Sequence, residues 1–178
     1  MASDINHTVA GRVDLLPPGR CAWFAVVMSP GARTDVESAA VVSAFLDALA
    51  RKDVAAGMLL VDDDIVYRNV SLPPIRGAAA VGRLFERWAA LRATGFEVVV
   101  HRIAVDGQIV LTERTDVLRF GSVRQQFWVC GTFEVVDGRI TLWRDYFDYG
   151  NFLAALCRGI AGAAVPSLRA RLPHSAPR

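Results

Sequence analysis

The fold is decided by residues 96–147, which read FEVVVHRIAVDGQIVLTERTDVLRFGSVRQQFWVCGTFEVVDGRITLWRDYF. Long runs rich in valine, isoleucine, threonine and aromatic residues are interrupted here by Asp106-Gly107, Gly121-Ser122 and Asp137-Gly138, all of which are typical of tight hairpin turns. The pattern therefore predicts an antiparallel meander. Its four strands are expected at 96–105, 109–120, 123–136 and 139–147.

The chain before this stretch predicts three helices. In residues 35–49, apolar side chains recur at steps of three and four residues behind an acidic first turn, which is the period of an amphipathic helix. Asp53 suits the N-cap of a short second helix that reaches about residue 60. A third apolar stripe occupies residues 81–91, and we expect Gly95 to end that helix.

The segments on either side of the meander set the predicted boundaries. Three consecutive aspartates at 62–64 predict a break before a strand at 65–70. A closing helix is expected at 151–160, and the prolines and arginines that follow it predict a loose tail. The predicted organisation is a flexible N-terminal extension at 1–34, one domain at 35–160 and a loose C-terminal tail at 161–178.

The order of these elements predicts an α+β fold. We expect a strongly curved, mixed but largely antiparallel sheet that packs on three to four N-terminal helices. Helices that cover one face of such a sheet leave a cone, and a cone encloses an internal pocket.

Composition excludes several classes of protein. At 178 residues the chain fits one domain, and its formal net charge of +2 with scattered arginines argues against nucleic-acid binding. Three cysteines that are far apart and lack metal-ligand spacing predict reduced thiols in a cytoplasmic protein. The longest apolar run, at 21–28, is far shorter than the roughly 20 residues of a transmembrane helix, so no membrane span is expected.

Polar residues at a spacing of two select the candidate site. Side chains on a strand alternate between faces, so residues two apart point the same way. Three strands then each carry a polar set on one face: Tyr67 with Asn69, Arg114 with Asp116, and Asp145 between Trp143 and Phe147. The aromatic neighbours of Asp145 predict that its carboxylate points into apolar surroundings, where it needs a partner.

Arg114 is the partner that the sequence offers. A guanidinium is a planar fork that can bind two carboxylates at once. Two carboxylates and one guanidinium leave one net negative charge, so in a medium of low dielectric constant one of the two carboxyls is expected to be protonated. A base and an acid held side by side suit a reaction in which one proton is taken up and another is given.

The chain carries YRN at 67–69, TERTDVL at 112–118 and WRDYFD at 143–148. In order and approximate spacing these segments resemble the motif set of the limonene-1,2-epoxide hydrolase family, of the NTF2-like and SnoaL-like superfamily. The resemblance covers roughly residues 35–155. It implies a homodimeric, cone-shaped hydrolase without a cofactor or metal, which converts a hydrophobic epoxide and water into a vicinal diol in one step.

The resemblance also implies a role for each candidate residue. Asp145 is the expected general base on water, and Asp116 is the expected general acid on the epoxide oxygen. Arg114 bridges the two carboxyls. Tyr67 and Asn69 are expected to hold the attacking water.

Strand parity and the family likeness together select a substrate-binding wall. Trp143, beside the expected base, is one member, and its indole N–H is expected to form a hydrogen bond there. The other candidates are Trp88, Leu118, Phe127, Val129, Phe147 and Phe152.

Other functions of the same scaffold stay open at this point. Ketosteroid isomerases, dehydratases and polyketide cyclases share the cone, and a non-catalytic small-molecule-binding protein would use the polar pairs as structural networks. An isomerase needs one aspartate base that faces a tyrosine-based oxyanion hole. Arg114 argues against it, because its charge keeps neighbouring Asp116 ionised unless a second carboxylate shares the guanidinium.

Overall fold

The computed structural model describes residues 30–172 of the chain. Within this range the predicted α+β class is confirmed, with four α-helices, a six-stranded sheet and one short 3-10 helix. The elements in chain order are α1 (Pro30–Ala50), α2 (Val54–Met58), β1 (Val61–Asn69), β2 (Ile75–Arg76), α3 (Ala78–Ala90), β3 (Thr94–Asp106), β4 (Ile109–Phe120), β5 (Val123–Val136), β6 (Arg139–Tyr146), α4 (Tyr149–Ala164) and the 3-10 turn Pro166–Leu168.

The sheet has the strand order β2-β1-β6-β5-β4-β3 and is not closed. Strands β3 to β6 form the predicted antiparallel meander, and the bounds of β4 and β5 are those expected from the hairpin turns. β1 pairs with β6 in parallel, so the sheet is mixed. Register shifts interrupt the β1/β6, β3/β4 and β5/β6 pairs, and such irregularities bend strands.

The main core lies between α1 and the inner face of the sheet. Val42, Phe45 and Leu46 of α1 are almost completely buried in one cluster with Phe133 of β5 and Trp143 of β6. The Phe45 ring meets the Trp143 ring edge-on, with 5.1 Å between centroids. Each such side chain contributes on the order of 2 kcal/mol by burial, so this cluster anchors the strand that carries Asp145.

Only three of the four helices precede the long strands, and the fourth closes the chain. Helix α4 packs on β5 through a second cluster, in which Ala155 contacts Phe127 and Val129. Its N-terminus is capped by Asp148, whose carboxylate accepts the backbone N–H of Asn151 at 2.5 Å. Asp148 therefore has a structural role at the start of α4.

Strand β1 begins earlier than expected. The aspartates at 62–64 do not break the chain but form the first half of the strand, between buried Val61 and Ile65. The parallel register with β6 shifts over this same segment, and Asp64 N–H donates to the carboxylate of Asp62 at 2.9 Å. Exposure lets the carboxylates stay hydrated while the two apolar residues hold the strand in place.

Gly95 does not end helix α3. The helix ends at Ala90, and Gly95 lies inside β3. The end is instead fixed by Thr94, whose hydroxyl donates to the backbone oxygens of Trp88 at 2.7 Å and Leu91 at 2.8 Å. A side-chain hydroxyl thus satisfies carbonyls that a glycine C-cap would otherwise satisfy.

The termini of the domain also differ from the sequence-based bounds. Helix α1 already begins at Pro30, inside the predicted extension, since a proline is well tolerated in a first helical turn. Helix α4 continues to Ala164, beyond the predicted boundary at 160, and Gln126 donates to the backbone oxygen of Arg171 at 3.2 Å. Residues 1–29 and 173–178 of the predicted extension and tail lie outside the described residues.

Among the helices of 30–172, none has the length and apolar character that crossing a membrane requires.

Lys52 joins the first two helices to the end of α3. Its ammonium donates to the backbone oxygens of Leu91 at 3.0 Å and Ala89 at 3.4 Å, and to the hydroxyl of Thr94 at 3.1 Å. The same ammonium lies 5.6 Å from the ring centroid of Trp88. A cation at a helix C-terminus is favourable because the last carbonyls carry partial negative charge.

We expect Lys52→Met to lower the free energy of unfolding by about 1–2 kcal/mol, because it removes these bonds and the cation from the helix end. Urea unfolding followed by circular dichroism measures the change. Arg51→Met, at the neighbouring exposed cation, is the matched control and should lie within about 0.5 kcal/mol of the native protein. Equal loss in both variants would contradict this role of Lys52.

Candidate active site

Adjacent strands bring the candidate polar residues together. In the parallel pair β1/β6, Tyr67 lies beside Trp143 and Asn69 beside Asp145. β4, which carries the arginine and the other aspartate, is separated from β6 by β5. Because each set shares one face of its strand, the two-residue spacing brings all of them to the inner side of the sheet.

Arg114 contacts both carboxyl groups. Its Nε donates to Oδ1 of Asp116 at 2.9 Å and to Oδ2 at 3.1 Å, and its Nη2 forms an ion pair with Oδ2 of Asp145 at 2.6 Å. Its Nη1 donates to the hydroxyl of Thr112 at 3.2 Å. The arginine side chain has no exposed surface and each aspartate side chain is 7% exposed, so this is a buried ion-pair network.

Trp143 holds the second oxygen of Asp145. Its indole N–H donates to Oδ1 of that carboxylate at 2.8 Å, while Oδ2 faces the guanidinium. The indole is itself held by rings, with centroids of Tyr67 at 4.3 Å and Phe85 at 5.6 Å. Both carboxylate oxygens are thus engaged, and the orientation of Asp145 follows from packing of the tryptophan.

Tyr67 and Asn69 form a second polar pair beside the carboxylate. The amide nitrogen of Asn69 donates to the phenol oxygen of Tyr67 at 3.0 Å, so the tyrosine proton stays available for another acceptor. Burial, and then the charge of Asp145, raise the pKa of Tyr67 above its ordinary range. The phenol is therefore neutral at pH 7 and can donate a hydrogen bond.

The titration of the centre follows from its burial. Burial raises the pKa of Asp116 to about 6, the Arg114 guanidinium opposes this shift, and the Asp145 carboxylate adds to it. Burial by itself would lower the pKa of Arg114, but the two carboxylates outweigh it and raise that pKa above its ordinary range. The arginine is thus always charged, and burial drives Asp116 toward its protonated form.

The polar centre opens on an apolar cavity of about 400 Å³. Of the predicted site residues, only Arg114 is absent from the wall, because it lies beneath the carboxylates that it binds. The predicted wall residues Trp88, Leu118, Phe127, Val129, Trp143, Phe147 and Phe152 all line this cavity, together with Tyr67, Asn69, Asp116 and Asp145.

Several residues of the site were not predicted. Thr112 lies two positions before Arg114, so the parity rule that selected the arginine could also have selected this threonine as its partner. The other missed residues are Leu49, Leu72, Leu84, Phe85, Phe96, Phe120 and Tyr149. Leu49, Leu84 and Phe85 lie within the apolar stripes at 35–49 and 81–91, so helical periodicity could also have selected them.

Comparisons with known proteins identify the family of the chain. A family model described as limonene-1,2-epoxide hydrolase catalytic domain matches residues 36–158. The epoxide hydrolase EphG of Mycobacterium tuberculosis is 51% identical over 131 residues, which is 74% of this chain and 87% of that protein. The solved structure of an LEH-like epoxide hydrolase from M. tuberculosis is 49% identical, with a TM-score of 0.74 over 78% of this chain and 97% of that one.

The chain therefore belongs to the limonene-1,2-epoxide hydrolase family and is an epoxide hydrolase of this type. A more distant structure, of an NTF2-like protein of unknown function from Cytophaga hutchinsonii, is 18% identical with a TM-score of 0.55, over 65% of this chain and 94% of that chain. At this identity the likeness concerns the fold alone. The NTF2-like cone is shared widely, whereas the family match separates the hydrolase from the isomerase, dehydratase, cyclase and binding-protein alternatives.

We expect Asp116 to make the native protein less stable as pH rises from about 4 to about 6. The pKa of this carboxyl is about 6 in the folded chain and about 4 when unfolded, so between these values the folded state binds more protons and loses stability with rising pH. Asp116→Asn keeps a neutral side chain at every pH. Its free energy of unfolding, relative to the native protein, should therefore increase by roughly 2 kcal/mol between pH 4 and pH 7.

Urea unfolding at both pH values measures this difference. Asp137→Asn is the control, since Asp137 is exposed in a hairpin turn at φ 49°, a conformation that asparagine tolerates. A difference between Asp116→Asn and the native protein that does not change with pH would contradict the raised pKa.

Proposed function

We propose that the chain hydrolyses a hydrophobic epoxide to a vicinal diol in one step. Asp145 takes a proton from water as the water oxygen bonds to an epoxide carbon, and Asp116 gives its proton to the epoxide oxygen as the carbon–oxygen bond breaks. Afterwards Asp145 returns one proton to Asp116, so the centre is regenerated. The observation that carries this proposal is the contact of one buried guanidinium with both carboxyls, at 2.9 Å and 2.6 Å.

The acid and the base keep different roles because their surroundings differ. Both oxygens of Asp116 accept from Arg114 Nε, and its pKa of about 6 leaves about a tenth of this carboxyl protonated at pH 7. Asp145 instead forms an ion pair with Nη2 of the guanidinium and accepts from the indole N–H of Trp143. Tyr67 and Asn69, which line the cavity beside it, supply a donor and an acceptor for the attacking water.

The cavity wall supports a substrate whose epoxide is its only polar group inside the site. Apart from the polar centre, the wall consists of leucine, valine, phenylalanine and tryptophan side chains and Tyr149. The hydroxyl of Tyr149 already donates to the backbone oxygen of Val70 at 2.8 Å. A polar substituent elsewhere on the substrate would therefore lose its hydration without a compensating hydrogen bond.

The mechanism requires no cofactor in this proposal, since acid, base and water are sufficient for the bond changes. No three His, Cys, Asp or Glu side chains of the described residues come close enough together to hold a metal ion.

We also propose a cytoplasmic location. The free thiols of Cys130 and Cys157 support it, because a reducing compartment keeps thiols unpaired.

We expect Asp145→Asn to lower kcat by at least about a hundredfold, because an amide cannot accept the proton of water. Diol formation from cyclic terpene, styrene and fatty-acid epoxides measures the loss. Asp137→Asn, at an exposed turn, is the matched control and should keep native activity. Native kcat in Asp145→Asn would contradict the assignment of the base.

Labelled water distinguishes the direct attack from a covalent route. In a single turnover in ¹⁸O-water with enzyme in excess, direct attack puts ¹⁸O into the diol at once. A covalent ester on an aspartate would instead transfer an unlabelled carboxylate oxygen to the diol. Unlabelled diol would therefore exclude the one-step mechanism, while leaving the hydrolase activity in place.

We propose that the protein forms a homodimer through the outer face of its sheet. This face exposes large apolar side chains that single soluble domains normally keep scattered. They are Ile109, Leu111, Trp128 and Tyr146.

We expect the native protein to sediment as a dimer and Leu111→Arg, which puts a charge among these side chains, to sediment as a monomer. Leu59→Arg is the control, since Leu59 is 76% exposed on helix α2's C-terminal side and away from the sheet face. A native monomer would contradict the dimer, and a dimer in Leu111→Arg would exclude this face.

A further inference from the structure

The arginine reaches its second carboxylate across a whole strand. Arg114 lies on β4 and Asp145 on β6, and β5 runs between them. Neighbouring strands are about 4.8 Å apart, so the guanidinium must pass over the inner face of β5 to contact Asp145. Any side chain that β5 projects at the crossing point would stand in its way.

β5 carries large side chains along this inner face except at one position. Its inward residues from Gln125 onward are all buried, and Gly131 is the only one of them that lacks a side chain. The inward residues from Gln125 onward are Gln125, Phe127, Val129, Gly131, Phe133 and Val135. Gly131 is paired with Thr112 on one side and with Asp145 on the other, which is the point where the guanidinium crosses.

The space above Gly131 is filled by the guanidinium. A Cβ atom built at this position would overlap Nη1 of Arg114, lie 2.6 Å from the hydroxyl oxygen of Thr112 and lie 3.0 Å from the Phe133 ring. The backbone does not demand a glycine here, because Gly131 is not among the residues with positive φ. The requirement for glycine therefore comes from the guanidinium and not from the conformation of the strand.

Thr112 holds the guanidinium in this gap. Its hydroxyl accepts from Nη1 of Arg114 at 3.2 Å and donates to the backbone oxygen of Gly131 at 3.4 Å. Each of the three guanidinium nitrogens then has its own partner. Nε contacts Asp116, Nη2 forms the ion pair with Asp145, and Nη1 donates to Thr112.

We propose that Gly131 is a positioning residue, whose missing side chain forms the slot through which Arg114 reaches Asp145, and that the Thr112 hydroxyl fixes the guanidinium in that slot. This inference rests on the proposed function, in which Arg114 orients both the acid and the base. A displaced guanidinium would leave the two carboxyls misaligned, and an error of about 1 Å in such a centre costs about a hundredfold in rate.

Gly131→Ala tests the slot. We expect kcat to fall at least about a hundredfold. Binding of a non-reactive cyclopropane analogue of the best epoxide, followed by tryptophan fluorescence, should change less than about threefold, because the apolar wall is untouched. The control is Gly57→Ala, where the added Cβ would meet its nearest neighbour at an ordinary 3.6 Å. A kcat for Gly131→Ala within about twofold of the control would overturn the proposal.

A titration separates this inference from the proposed reaction. The Asp116 carboxyl faces Arg114 on its own strand and Asp145 on β6, and the arginine lowers its pKa. In protein labelled with ¹³C at aspartate carboxyls, with the Asp116 signal assigned by its loss in Asp116→Asn, Gly131→Ala should raise the pKa of Asp116 above its native value. An unchanged pKa of Asp116 in Gly131→Ala would overturn the slot. If the native protein hydrolysed none of the epoxides, that result would refute only the proposed function, and the pKa measurement would still test the slot.

A second pair of variants decides the matter if Gly131→Ala does not fold. Thr112→Val keeps the shape of the side chain but removes the acceptor of Nη1, and it should lower kcat about tenfold, the equivalent of one lost charge-assisted hydrogen bond. Thr112→Ser keeps the hydroxyl and should stay within about threefold of the native protein. Equal activity of the two threonine variants would exclude a role for this hydroxyl in holding the guanidinium.

Discussion

A buried guanidinium shared by two carboxyls is the interaction on which the rest of the site depends. Arg114 has no exposed surface and cannot lose its proton, so without partners it would strongly destabilise the fold. The first partner, Asp116, comes from the same strand, and the second, Asp145, from two strands away. The network is therefore complete only when β4, β5 and β6 pair in the observed register. The chemical centre forms only when this part of the sheet assembles correctly.

The same burial raises the pKa of Asp116 and makes the cavity wall apolar. Apolar surroundings raise the pKa of Asp116 to about 6 and surround the centre with a wall that offers a bound molecule few free polar groups. If the cavity were wet, the carboxyl would ionise near its ordinary pKa and the acid would be lost at neutral pH. In the proposed mechanism, an apolar substrate therefore suits the chemistry as well as the packing, because it keeps the dielectric constant low when it fills the cavity.

The centre itself was predictable because it lies on regular strands. Hairpin turns set the bounds of β4 and β5, and alternation then brought Arg114, Asp116 and Asp145 to one face without any tertiary information. The errors occur where a contact from elsewhere in the fold overrides the local signal. Gly95 was expected to cap α3, but the Thr94 hydroxyl and the distant Lys52 perform that task.

Gly131 illustrates a different limit of sequence reasoning. Sequence patterns are read from the side chains that are present, whereas Gly131 is important because it has no side chain. Glycine in the interior of a strand is unfavourable by roughly 0.5–1 kcal/mol relative to alanine, so some other interaction must offset it. Breaking a buried charge pair is unfavourable by about 3–5 kcal/mol, several times the cost of the glycine. On these magnitudes, contact of Arg114 with Asp145 outweighs the unfavourable glycine at position 131. A single glycine among the bulky, buried residues of a strand is therefore a sequence signal that another side chain crosses the strand there.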